Sequence, residues 1–251
     1  MNALERGLKI LELLACSERP LGVTEIGTEI GVDKSAAYRL LALLVACGYV
    51  EQVPETKRYQ LTTRLVELSR AVVARLELLT LAKPFLRALA LRTGQSVHLA
   101  VMRDWRVVYL DEALPASHLR VDVPVGGLAP AHCTALGKAI LCQLPPADLD
   151  RYFSTCELTC HTSRTLATRA ALAADLARAR ERGYAVDDEE FHEGVRCLAA
   201  PVCDHTGQVI AALGISGPAA SDIPSFASQV VATAGHLSRR LGYYPQEGVT
   251  T

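Results

Sequence analysis

The sequence predicts an α+β chain of two domains. An N-terminal winged helix-turn-helix comes first, then a linker helix, then a mostly antiparallel sheet flanked by helices. Three observations carry this. The first 63 residues read helix, short helix, turn, helix, hairpin. Leu65 to Leu81 is a helical run without glycine or proline. From Gln95 onward the apolar spacing shifts toward strands with helices between them. At 251 residues, half of them hydrophobic, the chain suits two packed cores. The expected division is residues 1–63, a linker at 64–80, a second domain at 81–245 and a flexible tail at 246–251.

Leu4, Leu8, Leu11, Leu14 and Ala15 share one side of a first helix that ends before Arg19-Pro20-Leu21-Gly22. Thr24 is positioned to cap a short helix from Glu25 to Ile30. After the turn Gly31-Val32-Asp33, Asp33 caps a helix from Lys34 to Ala46, closed by Gly48. Leu40, Leu41, Leu44 and Val45 are its inward residues. Tyr49 to Val53 and Arg58 to Leu61 flank Pro54-Glu55-Thr56-Lys57 as a hairpin. Beyond the linker, a helix from about Thr80 to Thr93 carries Pro84 in its first turn and closes at Gly94. Strands follow at Val97 to Val101 and Val107 to Leu110. Helices run from Thr134 to Leu144, Pro146 to Phe153 and Thr168 to Arg182. Strands return at Tyr184 to Asp187, Val195 to Cys203 and Gln208 to Ser216, the last two joined across Asp204-His205-Thr206-Gly207. A helix from Ser225 to Leu241 comes last.

Charge narrows the function classes. Lysine and arginine total 26 and acids 27, so the net charge is −1. This counts against a protein that coats nucleic acid nonspecifically, but not against a reader with a small, local basic surface. The N-terminus mixes charged and apolar residues, unlike a signal peptide, and no apolar run reaches membrane-spanning length. Eight irregularly spaced cysteines read as free thiols in a reducing compartment, so the expected location is cytoplasmic.

Several short motifs occur in order. They are Arg6-Gly7-Leu8-Lys9-Ile10-Leu11, Tyr38-Arg39-Leu40-Leu41, Gly48-Tyr49-Val50 and Tyr59-Gln60-Leu61. Then come His132-Cys133-Thr134-Ala135-Leu136-Gly137-Lys138-Ala139 and Arg182-Gly183-Tyr184-Ala185. The last group is Asp187-Asp188-Glu189-Glu190, Glu193-Gly194-Val195, Cys197-Leu198-Ala199-Ala200-Pro201-Val202 and Ile215-Ser216-Gly217-Pro218. Together they resemble the IclR family of bacterial regulators over nearly the whole chain. The resemblance implies a transcription regulator of catabolic genes. It implies a C-terminal effector-binding domain related in architecture to the GAF fold, and dimers through the DNA-binding domains, often assembled into tetramers.

The candidate DNA-reading residues are Lys34, Ser35, Tyr38 and Arg39, the exposed start of the second long helix. Lys57 and Arg58 at the wing suit phosphate or minor-groove contact. Glu5, Glu12, Glu18, Glu25 and Glu29 confine the basic surface to these two places. In the second domain, the helix after Thr134 offers free backbone N–H groups to an anion. Ala135 and Leu136 match family positions whose backbone contacts the effector. Asp187, Cys197 and Ser216 match further positions lining its pocket. Gly214 stands where the family often has serine. The expected effector is a small carboxylate, such as a keto, sugar or aromatic acid.

Other chemistries are less well supported. Cys156, Cys160 and His161 lie close in sequence, with His132 and Cys133 elsewhere, and no four-ligand zinc set is complete. Neighbours such as His132 and Cys133 are expected to point apart, so no thiol catalysis is expected. No nucleophile elbow or nucleotide-binding loop is present. No metal, cofactor or enzymatic activity is therefore expected. The alternatives are a thiol-based redox or metal sensor on the same DNA-binding domain, and a metabolite-binding module that does not bind DNA.

Overall fold

The computed structural model describes residues 2–73, 77–115 and 124–244, leaving aside the side chains of 69–73 and 77. The expected tail, 246–251, lies outside the described residues, as does 74–76 of the expected linker. The chain divides into two compact units, Met1–Leu76 and Glu77–Thr251.

In the first unit, α1 (Ala3–Ala15) opens on a reciprocal cap. Asn2 accepts from the Glu5 N–H at 2.9 Å, and Glu5 accepts from the Asn2 N–H at 2.8 Å. Ile10 and Leu14 enter the core, whereas Leu4 and Leu8 of the apolar stripe remain exposed. The cap of α2 (Val23–Ile30) differs from expectation. Gly22 is the N-cap and Thr24 lies inside the helix. Gly22 has no side chain to give, so the Glu25 carboxylate accepts its N–H at 2.7 Å instead. Asp33 caps α3 (Lys34–Ala46) as expected, accepting from the Ala36 N–H at 2.8 Å. Leu41 is the last fully buried residue of α3, so Val45, expected inward, is exposed. The hairpin is β1 (Val50–Gln52) with β2 (Tyr59–Leu61). Backbone bonds between Leu21 and Tyr59, at 3.0 and 2.8 Å, fasten it to the segment before α2. Next comes α4 (Arg64–Val73).

The second unit opens with α5 (Glu77–Thr93), which starts earlier than expected. Pro84 therefore sits inside the helix and not in its first turn, at a cost of about 3 kcal/mol for an exposed helix. Burial of Leu78, Leu79, Ala82, Leu86 and Leu89 along one stripe offsets it. The sheet contains β3 (Ser96–Arg103), β4 (Arg106–Ala113), β5 (Leu128–Pro130), β6 (Ala185–Asp188), β7 (Val195–Cys203) and β8 (Val209–Pro218). Their order is β5-β4-β3-β8-β7-β6, and every pairing is antiparallel. The sequence reading lacked the short β5. Strand alternation sends Val97, Leu99, Leu198, Leu213 and Ile215 to one buried face. That face is covered by α5 and α9 (Ala227–Arg240), which are linked by Arg92 donating to Thr233 at 3.0 Å.

The other face carries α6 (Ala135–Leu141) and, behind it, α8 (Arg169–Arg182); α7 (Pro146–Thr155) lies between them in sequence. Every residue of α6 is buried. Gly137 meets the Ala131 backbone so closely that an added Cβ would overlap its carbonyl. Lys138 is fully buried, and its Nζ donates to Asp175 at 2.7 Å and Glu190 at 2.5 Å. Arg178 also reaches Asp175, at 3.1 Å. Burial works to raise the Asp175 pKa, but Lys138 and Arg178 hold it below the usual range. Burial leaves Glu190 above its ordinary value.

Replacing Lys138 with methionine leaves Glu190 buried without its cation. The expected loss of unfolding free energy is ~3–5 kcal/mol at neutral pH. The loss should shrink as pH falls and Glu190, whose pKa burial already raises, takes up a proton. Urea unfolding at two pH values checks both, and an unchanged midpoint would refute the role given to this ion pair.

Candidate functional site

The first candidate surface is the start of α3. Asp33 fixes its first turn, and Lys34, Ser35, Tyr38 and Arg39 are all exposed there. Lys34 and Tyr38, or Ser35 and Arg39, stand one turn apart on that face. Lys57 is exposed at the wing, with its backbone in the left-handed region at φ 57°. Arg58 sits differently. Its guanidinium folds back, donating to Glu25 at 2.9 Å and to the Pro20 carbonyl at 3.2 Å. Glu25 also receives Arg19 at 2.8 Å, and with the Gly22 N–H this holds its pKa down at about 2. Two arginines thus neutralise one of the acids that the sequence set against the basic surface. Arg58 braces the wing through that contact.

The second is a cavity between α6 and the sheet. Ala135, Leu136, Asp187, Cys197, Gly214 and Ser216 all line it. The pairing explains why. Asp187 is opposite Cys197, Cys197 opposite Ser216, and Ser216 opposite Ser96, so a polar row crosses four strands on one face. Thr134 caps the start of α6 beside this row. Its side chain accepts from the Gly137 N–H at 3.2 Å, and its carbonyl from Lys138 at 2.9 Å. The N–H groups of Ala135 and Leu136 come too early in the helix for partners within it. The cavity has a volume of about 30 Å³. The space is therefore narrow.

Sequence reasoning missed His98, Tyr109 and Phe191 in the lining. His98 lies on β3 one alternation from Ser96, and its Nε2 is 2.8 Å from Ser216 Oγ. Its Nδ1 has no partner among the described residues, nor has Ser96 Oγ. The signal was a histidine within an apolar strand, where water is absent and a partner is required. Its ring stands edge-on to Tyr109 at 5.6 Å.

Among the described residues, no lysine or arginine lines the cavity. Burial drives its ionisable groups toward their neutral forms. His98 falls to about 4, Tyr109 rises, and Cys197 rises well above an ordinary thiol. Asp187 is pushed up to about 7 by burial, although its Oδ1 accepts the Glu190 N–H at 2.7 Å. The acidic run Asp187 to Glu190 is therefore divided. Asp187 and Glu190 are buried, while Asp188 is held outside by Arg164 at 2.8 Å and by Arg196. Cys133 is pushed to about 12 by burial, so neither it nor Cys197 stands as a thiolate.

A folded-state pKa above the unfolded value of ~3.9 favours the protonated native state. The stability this gives is complete below about pH 4 and is lost as pH rises through about 7. Asp187→Asn lacks that loss. Relative to the native chain, the variant should gain stability between pH 5 and pH 8, by thermal melting. Parallel profiles would show that Asp187 is ionised throughout.

Comparison with known proteins identifies the family to which the two domains belong. Residues 3–54 match the IclR helix-turn-helix domain, and residues 70–239 match the bacterial transcriptional regulator IclR C-terminal domain. The chain is 36% identical over 247 residues to the HTH-type transcriptional regulator XynR of Escherichia coli, covering 97% of this chain and 98% of that one. It is 32% identical to the transcriptional repressor IclR of the same organism, covering 96% and 90%. The solved structure of Thermotoga maritima IclR superposes with a TM-score of 0.75 at 30% identity, covering 97% of this chain and all of the other. The chain belongs to the IclR family of bacterial transcriptional regulators and is a DNA-binding regulator of that type.

Proposed function

We propose that the chain works in the cytoplasm as a homodimer or homotetramer on double-stranded operator DNA, controls catabolic genes, and catalyses no reaction. Lys34, Ser35, Tyr38 and Arg39 read the major groove, and Lys57 holds phosphate or the minor groove beside it. Arg58 contributes to the backbone contact through the nitrogens that Glu25 leaves free. With a net charge of −1, one such surface gives little affinity, and two linked copies gain by effective concentration. The first unit also exposes an apolar face around Leu4, Leu8, Leu43 and Leu68 that a second copy would cover. Symmetric pairing of that face gives palindromic or near-palindromic half-sites.

The effector in this reading is a small carboxylate with a polar tail. The observation that carries it is that Ala135, Leu136, Asp187, Cys197, Gly214 and Ser216 line one cavity. The carboxylate takes the N–H groups of Ala135 and Leu136, and a hydroxyl or keto group reaches the Asp187–Cys197–Ser216 row. The unpartnered nitrogen of His98 offers a further bond. Effector binding then has to favour one arrangement of the segment 64–80, because without differential binding DNA affinity cannot change.

Two variants separate the halves of the proposal. Arg39→Ala should lose ~1–3 kcal/mol of operator binding, about 5- to 160-fold, in a gel-shift titration at fixed salt. Unchanged affinity would sink the assignment of α3. Leu136→Glu places charge and bulk at the carboxylate position. A thermal-shift screen of keto, sugar and aromatic acids first finds the ligand. Calorimetry should then show no binding to Leu136→Glu, while its effector-free DNA binding survives. Normal binding of the acid would mean that the cavity is wrongly assigned.

A further inference from the structure

The fold assembles a second polar cluster that belongs neither to the DNA-reading face nor to the lining of the cavity. His132 and Cys133 lie between β5 and α6, and His161 lies in the loop between α7 and α8. One ring nitrogen of each histidine and the Cys133 sulfur are all within 4.8 Å of one another. His132 and Cys133 are buried, and His161 is exposed. Both histidines border an open groove lined also by Trp105, Tyr152, Cys156 and Thr159. The expectation that His132 and Cys133 point apart is thus corrected. They lie in an irregular segment and not on a strand, so no alternation separates them.

The surroundings orient these donors. His132 Nε2 is 2.9 Å from the Thr159 carbonyl. A carbonyl only accepts, so Nε2 carries the proton and Nδ1 keeps its lone pair. Metal-binding histidines are commonly held in this way by a backbone carbonyl on the far nitrogen. The His161 ring stands edge-on to Phe191 at 5.1 Å, and its centroid is 6.0 Å from that of His132.

We infer that His132, Cys133 and His161 form a binding site for a divalent cation of borderline softness, zinc in the first place, with its fourth position open to the groove. Two imidazoles and one thiolate suit zinc, whereas calcium and magnesium require oxygen donors. Zinc–nitrogen and zinc–sulfur bonds of ~2.0–2.3 Å place tetrahedral ligands about 3.5 Å apart. The donors must therefore close up by roughly 1 Å, and the exposed His161 is free to make that movement. As the metal–sulfur bond forms, the Cys133 proton passes to solvent, and a water fills the fourth position. The ion keeps its charge and nothing is oxidised.

Zinc titration of the metal-free, full-length protein against a chromogenic chelator tests this, with cobalt(II) as a spectroscopic stand-in. One ion per chain should bind, and the cobalt form should show a thiolate-to-metal charge-transfer band. His161→Ala, a change at an exposed residue, should weaken zinc binding at least ~100-fold, since losing a mere outer partner already costs 10- to 100-fold. Cys133→Ser should abolish the thiolate band; if that variant does not fold, the exposed His161→Ala decides alone. Cys156→Ser with Cys160→Ser should leave binding unchanged. Native affinity in His161→Ala, absence of the thiolate band in the native chain, or loss of binding in the Cys156/Cys160 variant would each overturn the site.

Discussion

The buried Lys138 ammonium is the contact on which the geometry of the second domain depends. An unpaired charge in that position would be too costly to keep, so its two carboxylates are obligatory. They come from different elements. Asp175 belongs to α8, and Glu190 to the turn after β6. One side chain on α6 therefore fixes a second helix and a turn at once. The turn in turn sets the cavity, because the Glu190 N–H donates to Asp187 Oδ1. Any shift of α6 that moves Ala135 and Leu136 also moves Lys138, three and two residues on, and pulls on Glu190 and Asp187. The helix start and the carboxyl at the far side of the cavity thus cannot move independently.

The same burial determines what the cavity can bind. With no lysine or arginine among the described residues of its lining, positive potential in the cavity comes from backbone N–H groups, the start of a short helix and the paired Lys138 behind Asp187. A neutral His98 and protonated thiol and phenol groups supply directional hydrogen bonds but no charge. Asp187 is the variable member. Protonated, it leaves the cavity neutral and can donate to a ligand oxygen; ionised, it repels an anion and accepts from a hydroxyl. An acid that binds close to Asp187 favours the protonated form, and its affinity falls as pH rises through about 7. A hydroxyl that donates to Asp187 favours the ionised form and reverses the trend. The pH dependence of affinity therefore reports which end of the ligand faces the polar row.

Much of this was legible in the sequence. Helix α3, its Asp33 cap, the wing and strands β7 and β8 follow from periodicity, turn residues and cap chemistry, all of which act within a few residues. The Gly22–Glu25 cap was not, because a glycine N-cap carries no side-chain signal. Nor was Pro84 in mid-helix, where tertiary burial outweighs a local preference. Arg58 reads as a basic wing residue, yet its partner Glu25 lies 33 positions away. His98 and the His132–Cys133–His161 cluster share that difficulty. Their meaning depends on strand register and loop approach, which no short window contains. The six residues expected at the cavity were found through family resemblance; spacing alone does not show that β6, β7, β8 and β3 bring Asp187, Cys197, Ser216 and Ser96 into one row.

Gly214 shows how register changes the meaning of a departure from the family pattern. In sequence, glycine in place of serine is a lost hydroxyl, one polar contact fewer for a ligand. In the sheet, Gly214 pairs with Ala199 on one side and His98 on the other. A Cβ there would lie 2.6 Å from the Leu198 carbonyl and 2.7 Å from the Ala199 Cβ. The β7–β8 contact in this chain is thus fitted to the absence of a side chain, and serine could enter only if the strands moved apart. With Ala199 paired to Gly214 on the same face, this part of the cavity lining is built from small residues beside His98. Removing the hydroxyl exchanges a hydrogen bond for depth, and the imidazole of His98 becomes the nearest polar group across the pair.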